Sequence, residues 1–139
     1  MILEESSNVN KKLYYNNKIE VRKSDIHGFG VFAKKEIKSG ELLEECHYIQ
    51  ITKEASKDVY IRKYFYHWPR HREAKVFALV FGNGSIYNSS SSKKEMNADW
   101  KCDENQNLYI FKAVKDIPAD TEILIYYGEH YWNKNLKKN

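Results

Sequence analysis

The sequence predicts a single, mainly β domain, and three observations lead to that prediction. Short apolar runs with period-two alternation recur along the 139 residues, each bounded by turn-forming residues. Spacing typical of a helix occurs in one window of the chain alone. Eleven tyrosines against two prolines and six glycines further favour strands, because aromatic residues fit the pleated, half-buried surface of a sheet.

The predicted elements follow in order along the chain. Ile19 and Val21 alternate with charged neighbours, which is typical of a half-buried strand. Residues 54–68 have helical spacing and form the one predicted helix, which Pro69 ends. The serine run 89–92 has the composition of a solvated loop. The predicted strands are residues 18–22, 31–33, 42–51, 75–81, 98–102, 108–114 and 122–126.

Composition and charge exclude several classes of protein. Lys and Arg number 23 against 19 Asp and Glu, a net charge of +4, which is mildly basic and requires no nucleic-acid partner. The first residues lack the apolar run of an export signal, and no stretch approaches the roughly 18 apolar residues of a membrane helix. Cys46 and Cys102 are too far apart for a CxxC pair. We therefore expect an intracellular, soluble protein, in the cytoplasm or nucleus of a host cell, with reduced thiols.

Three local features are candidates for chemistry, each with a plainer alternative. Gly28 and Gly30 form either a tight turn that needs a positive φ or a site where backbone groups approach a ligand. Asn88 either caps a turn or binds a polar ligand through its amide. The aromatic cluster at residues 126–132 covers the core or clamps a planar or cationic group. The five histidines show no metal-type spacing, so no metal site is predicted.

Taken together, three blocks in order resemble the SET domain, the protein-lysine methyltransferase fold. Residues 23–41 resemble its opening "GxGVFA…I..GE" stretch, residues 81–97 its "GxGxxxNHSxxPN" stretch, and residues 117–128 its "I..GEEL...YG" stretch. The "GELxEEC" run at 40–46 and the aromatic ending further resemble the minimal SET proteins of large algal viruses. The resemblance implies a SET domain at 18–132. The polar residues 1–17 are expected to form a flexible N-terminal arm or an extra strand, and residues 133–139 a basic tail.

The resemblance also implies a fold and a site. The fold is a SET-domain β-clip of several small sheets with little helix, in which the C-terminal segment threads under the Asn88 loop as a pseudoknot. The cofactor is S-adenosylmethionine, and Tyr127 matches the catalytic tyrosine. Ile125 stands where the family controls the number of methyl groups added. Tyr64 is matched to a tyrosine of the lysine channel and is expected, with Tyr127, to be a catalytic residue. The implied cofactor-binding residues are Gly28, Phe29, Gly30, Asn88, Ser89, Tyr127 and Trp132.

The resemblance has departures, and they leave alternatives open. Ser89 stands where the family has His, Asp120 replaces a Gly, and Thr121 replaces a Glu. The leading expectation is methyl transfer to lysine in a protein substrate, either a histone tail or another protein. A catalytically weakened module that binds cofactor and lysine peptides is one alternative, and a β-barrel that binds single-stranded nucleic acid is another. A homodimer is a further expectation.

Overall fold

A computed structural model describes residues 12–52, 54–68 and 76–127 of the chain. In these residues, strands alternate with turns, and the helical content consists of three 3-10 helices, at Ala55–Lys57, Arg62–Tyr64 and Lys93–Glu95. The strands are β1 (Ile19–Lys23), β2 (Phe29–Ala33), β3 (Leu42–Cys46), β4 (Tyr48–Ile51), β5 (Phe65–Trp68), β6 (Val76–Val80), β7 (Asn88–Ser89), β8 (Ala98–Asp103), β9 (Leu108–Ala113) and β10 (Glu122–Ile125). The mainly β prediction is confirmed.

The strands form three small sheets. Their strand orders are β1-β2-β10-β7, β3-β9-β8 and β4-β6-β5. The pairings are antiparallel except that of β10 with β7, which is parallel. Strand β10 therefore lies between the early β2 and the mid-chain β7, and it brings the end of the described chain to the middle of the first sheet.

The core lies where the inner faces of the sheets meet. Tyr66 is its aromatic centre, with ring contacts to Trp100 at 4.9 Å, Tyr109 at 5.4 Å and Phe111 at 6.0 Å between centroids. Such offset and edge-to-face pairs add stability beyond the apolar area that they bury. The buried aromatic residues thus form the centre of the core, whereas others, such as Phe29 and Tyr60, are exposed.

The helix predicted at residues 54–68 is wrong. The segment instead contains two of the 3-10 helices and then β5, whose residues Phe65 to Trp68 pair with β6. Asp58 interrupts helical hydrogen bonding, since its carboxylate accepts the backbone N–H of Tyr60 at 2.8 Å. The aromatic residues that follow have strand preference, and pairing with β6 outweighs their helical spacing.

Two other boundaries differ from the predicted ones. The strand predicted from residue 42 to 51 is divided at His47 into β3 and β4, which belong to different sheets. The serine run is not wholly solvated, because Ser89 and Ser90 are buried beside β10. Ser89 lies in β7, and Ser90 donates its backbone N–H to the Ile125 carbonyl at 2.7 Å.

The described part of the N-terminal arm packs against β3. Tyr15 forms an isolated bridge with Glu44, and the buried Asn16 donates its side-chain amide to the Leu42 carbonyl at 3.0 Å. Tyr15 and Asn16 are therefore attached to β3, and the bounds of the N-terminal segment stay a prediction. Among the helices of the described residues, none has the length and apolar character needed to cross a membrane.

Candidate active site

The glycine turn joins β1 to β2. Lys23 pairs with Phe29, so residues 24–28 form the loop of a hairpin, closed by a 2.8 Å bond from the Ser24 N–H to the Gly28 carbonyl. Gly28 has φ +50°, a left-handed conformation that favours glycine. The Phe29 side chain is 66% exposed beside this turn. The interpretation of Gly28 as a positive-φ turn residue is therefore confirmed.

Gly30 is needed for a different reason, the close approach of another strand. Strand β10 pairs with β2 so that Glu122 lies opposite Phe32. A Cβ atom on Gly30 would lie 2.1 Å from the Glu122 Oε2 atom and 3.0 Å from the Asn88 Nδ2 atom. The first distance would be a steric clash and the second a tight contact, so a side chain at position 30 would displace the Glu122 carboxylate.

The Asn88 amide joins this cluster to the glycine turn. Its Nδ2 atom lies 3.0 Å from the His27 carbonyl oxygen, 3.1 Å from the Phe29 carbonyl oxygen and 2.8 Å from Glu122 Oε2. The Ser24 hydroxyl lies 2.8 Å from Glu122 Oε1 and receives the Ile26 N–H at 2.9 Å. Three acceptors thus converge on one nitrogen, an arrangement that also suits an ammonium group.

Tyr127 follows directly after this pairing. In the parallel ladder, Leu124 lies opposite Asn88 and Ile125 opposite Ser89. The Tyr127 N–H donates to the Ser89 hydroxyl oxygen at 3.0 Å. The Tyr127 hydroxyl donates to the Tyr87 carbonyl oxygen, and the ring packs against the core. Tyr127 is therefore fixed at its backbone and at its hydroxyl by residues on either side of Asn88.

Comparison with known proteins shows which fold this arrangement belongs to. The family model described as "SET domain" matches residues 28–128. This chain belongs to the SET domain family. The match includes Gly28, Gly30, the Asn88 segment and β10, and the expected SET fold of several small sheets is confirmed.

Two named proteins have sequences similar to this SET domain. A Schizosaccharomyces pombe histone-lysine N-methyltransferase, specific for H3 lysine-37, is 26% identical over 118 residues, which are 82% of this chain and 76% of the relative. A variant-silencing SET domain-containing protein of Plasmodium falciparum is 28% identical over 136 residues, and the chain spans 5% of its length.

Solved structures agree with the family assignment. The crystal structure of a candidate histone methyltransferase from Plasmodium falciparum superposes with TM-score 0.67 at 30% identity, covering 84% of this chain and 98% of that one. A humanized mutant of the Chaetomium thermophilum Polycomb Repressive Complex 2 bound to an inhibitor superposes with TM-score 0.62 at 22% identity, over 86% of this chain and 16% of that one, which shows the fold alone. The likeness to minimal viral SET proteins stays a prediction.

Ser89, which stands where the family has His, makes hydrogen bonds to Ser90 and to Tyr127 in this SET domain. Its side chain is buried, donates to the Ser90 carbonyl oxygen at 2.9 Å and accepts the Tyr127 N–H. A hydroxyl group is thus both donor and acceptor between β7 and the residue after β10. The position where the family has His still braces the segment that carries Tyr127.

Tyr64 and Tyr66 have different surroundings. Tyr64 is exposed, its carbonyl accepts the Ser85 hydroxyl at 3.4 Å, and the Lys63 ammonium lies 5.5 Å from its ring centroid. Tyr66 is buried, and its pKa is raised well above the usual value, first by burial and next by the nearby Tyr127 hydroxyl. The Tyr66 hydroxyl is therefore within electrostatic range of Tyr127, whereas Tyr64 lies at the surface.

The remaining predicted site residues are placed as follows. Ile125 is completely buried in the core on β10, two residues before Tyr127. Trp132 lies outside the described residues, as does Gly128. Among the described residues, no group of three or more metal-ligating side chains is found.

Sequence reasoning missed Glu122 and Ser24 beside Asn88, and it missed Tyr66 as a buried neighbour of the candidate site. Glu122 stands inside the recognised "GEEL" block, so the sequence pattern did contain it. Ser24 lies 98 positions away from Glu122, and no local pattern links the two. Tyr66 was assigned to a helix, and the strand pairing of β5 with β6 is what turns it toward the core.

Proposed function

We propose that this SET domain transfers a methyl group from S-adenosylmethionine to the side-chain amine of lysine in a protein substrate. Family membership and relatives named as histone-lysine methyltransferases support methyl transfer to lysine in general. The observation that carries the proposal for this chain is the position of Asn88. Its amide contacts the glycine turn, and its neighbours in sequence hold Tyr127.

The polar cluster fits the amino-acid end of the proposed cofactor. The carbonyls of His27 and Phe29 and the carboxylate of Glu122, which the Asn88 amide contacts, are acceptors that would also suit an ammonium group of the cofactor. Gly28, Phe29 and Gly30 would bind through backbone groups, Ser89 would lie beside the site, and Trp132 would cover the adenine. When bound, the cofactor supplies an electrophilic methyl group on a sulfonium.

The residues of the chain would contribute alignment and exclusion of water. Only a neutral amine attacks a methyl group, and free lysine has a pKa of about 10.4. Partial desolvation in a channel lined by Tyr127 and another tyrosine, Tyr64 or Tyr66, disfavours the ammonium form. The lysine proton would pass to water before the neutral amine attacks, and a rigidly held Tyr127 would then contribute alignment, since orientation of two reactants is worth about 7–11 kcal/mol.

The substrate class is proposed from the relatives. One relative is named for lysine-37 of histone H3, which makes a histone tail the first substrate to examine and another lysine-bearing protein the second. The bracing of Tyr127 by Ser89 favours an active enzyme over a module that only binds. A homodimer remains an expectation of the sequence.

The test is methyl transfer from labelled S-adenosylmethionine to a histone mixture and to total lysate. We expect label on lysine with the wild-type protein and at least a tenfold lower rate with Tyr127→Phe, because the hydroxyl that fixes the ring is lost. Tyr48→Phe is the matched control, since it removes a hydroxyl bonded to Asn107 at 3.4 Å, outside the site. We expect its rate to equal that of the wild type.

Calorimetric titration with S-adenosylhomocysteine separates the alternatives. Binding without transfer by the wild-type protein would indicate a binding module. Neither binding nor transfer, together with salt-sensitive RNA binding, would indicate the nucleic-acid alternative. Equal transfer rates for the wild type and Tyr127→Phe would contradict the assignment of Tyr127.

A further inference from the structure

A buried carboxyl group lies behind the proposed site. Glu44 is 1% exposed, and both it and its neighbour Leu43 point inward from β3. Consecutive residues of a regular strand point to opposite faces. The register of β3 against β9 shifts between Leu42 and Glu44, and such a bulge re-aims the side chains around it. The backbone is thus shaped so that a carboxyl group enters the core.

The Glu44 carboxyl group is bonded on both of its oxygens. The Tyr87 hydroxyl donates to Oε1 at 2.7 Å, and the Asn83 N–H donates to Oε2 at 3.4 Å. A Cβ on Gly82, which has φ +65°, would lie 3.0 Å from Oε2. Burial raises the pKa of Glu44. A buried carboxyl group is costly, so it is retained only where its hydrogen bonds compensate or where it serves another purpose.

Tyr87 connects this carboxyl group to Tyr127. Its side chain is completely buried, stacked on Phe111 with ring centroids 4.6 Å apart, and bonded to Glu44 at its hydroxyl. Its backbone carbonyl accepts the hydroxyl of Tyr127. A single residue therefore receives the Tyr127 hydroxyl at its backbone and donates to Glu44 at the far end of its side chain.

We propose that Glu44 and Tyr87 are a positioning pair, whose hydrogen bond fixes the Tyr87 carbonyl and thereby the orientation of the Tyr127 hydroxyl for methyl transfer. The proposal deepens the proposed function and rests on it. Neither carboxyl nor phenol touches the reacting atoms; both act through Tyr127. Small displacements of an aligning group are costly, since about 1 Å of misplacement lowers rates by about a hundredfold.

The test compares two ways of removing the pair. Tyr87→Phe keeps the ring stacked on Phe111 but leaves the Glu44 carboxyl without that donor, so both stability and kcat should fall, the latter about tenfold or more. Tyr87→Phe combined with Glu44→Met replaces the pair with apolar groups of similar size, which should restore the melting temperature. We expect kcat of the double variant to stay low, with the KM for S-adenosylmethionine unchanged.

Stability and activity that recover together in the double variant would overturn the proposal, because the pair would then serve folding alone. Tyr48→Phe again serves as the control for loss of a remote hydroxyl. A readout independent of turnover is the ¹³Cζ NMR resonance of Tyr127, assigned by its loss in Tyr127→Phe. We expect this resonance to shift in the double variant. An unshifted resonance contradicts the pair. A shifted resonance supports the pair even if the wild-type protein shows no methyl transfer, and that lack of wild-type activity would contradict the proposed function instead.

Discussion

Gly28 and Gly30 look alike in the sequence, but different physical requirements select them. Gly28 has open space around it and a left-handed backbone, so the constraint there is conformational. Gly30 lies against the Glu122 carboxylate, so the constraint there is steric. A substitution at Gly28 should therefore strain the backbone, whereas a substitution at Gly30 should displace the Glu122 side chain.

Gly30→Ala should separate Asn88 from Glu122. Its Cβ would lie 2.1 Å from Glu122 Oε2, and the carboxylate would have to leave its bonds to Asn88 and Ser24. Overpacking of this kind costs about 1–3 kcal/mol, and we expect that loss in the free energy of unfolding from urea titration. S-adenosylhomocysteine binding by calorimetry should weaken at least tenfold, because the cluster that receives the amino-acid end is displaced.

Glu122→Ala provides the control through a double-mutant cycle. With the carboxylate removed, Gly30→Ala meets no steric partner at Oε2, and its further cost to stability should be small. Strictly additive losses in the double variant would show that the glycine is needed for some other reason than the approach of Glu122.

The motif residues of the proposed site stand out in the sequence, whereas the residues that support them do not. Gly28, Asn88 and Tyr127 stand in recognisable sequence blocks, and the structure places them in neighbouring positions. Glu122 and Ser24 meet only because β10 is inserted beside β2, across 98 positions of sequence. Contacts of that separation leave no trace in local periodicity.

Strand β10 is the element on which the proposed site depends. It pairs with β2 through Glu122 and Ile123 and with β7 through Leu124 and Ile125. Asn97 holds it from the side: its Nδ2 donates to the Glu122 carbonyl at 3.0 Å, and its Oδ1 accepts the Leu124 N–H at 2.7 Å. The Asn97 side chain thus makes two hydrogen bonds to the β10 backbone, of the kind that a neighbouring strand would make.

Asn97→Ala should loosen β10 without altering any residue of the proposed site. Loss of the side chain leaves a partly buried carbonyl and N–H of β10 without these partners, which costs about 1–3 kcal/mol. Hydrogen exchange should show faster exchange of the Leu124 amide, and the methyl-transfer rate should fall with it. Asn105→Ala is the matched control, because Asn105 is exposed in the turn between β8 and β9. Equal exchange of Leu124 in both variants would contradict the role of Asn97.

The longer strands were predicted well from the sequence, whereas the shortest strand and the strand defined by its pairing partner were not. Strands β1, β8 and β9 have four or more alternating or strongly apolar residues, and they lie close to their predicted positions. Strand β7 has two residues, too few for any period to be visible. Strand β5 was mistaken for helix because Tyr60 and Tyr64 repeat at helical spacing, and only its pairing with β6 decides the matter.

The molecule as a whole buries many groups that ionise at high pH. Burial raises the pKa of Tyr48 and of Cys102 to about 12 each and raises the pKa of Cys46, Tyr66, Tyr87 and Tyr109 as well. Their usual values are 9.0 for the thiols and 10.0 for the phenols. The tyrosine count of the sequence indicated strands, but it could not indicate burial, because the packing of three sheets around Tyr66 is a property of the tertiary fold.

These raised pKa values predict a loss of stability in alkaline solution. The folded state keeps the protons that the unfolded state releases, so the stabilisation is complete below pH 9 and is lost as the pH rises through 9 to 12. Each such group contributes a slope of up to about 1.4 kcal/mol per pH unit. The free energy of unfolding, measured by urea titration in separate buffers at pH 8, 9, 10 and 11, should therefore decline more steeply as the pH rises.

Tyr109→Phe removes one buried phenol and should make the decline shallower. Tyr60→Phe removes a phenol that is 79% exposed and should leave the slope unchanged. Parallel declines for the wild type and Tyr109→Phe would contradict the explanation, since the buried phenols would then not be the groups that retain their protons in the folded state.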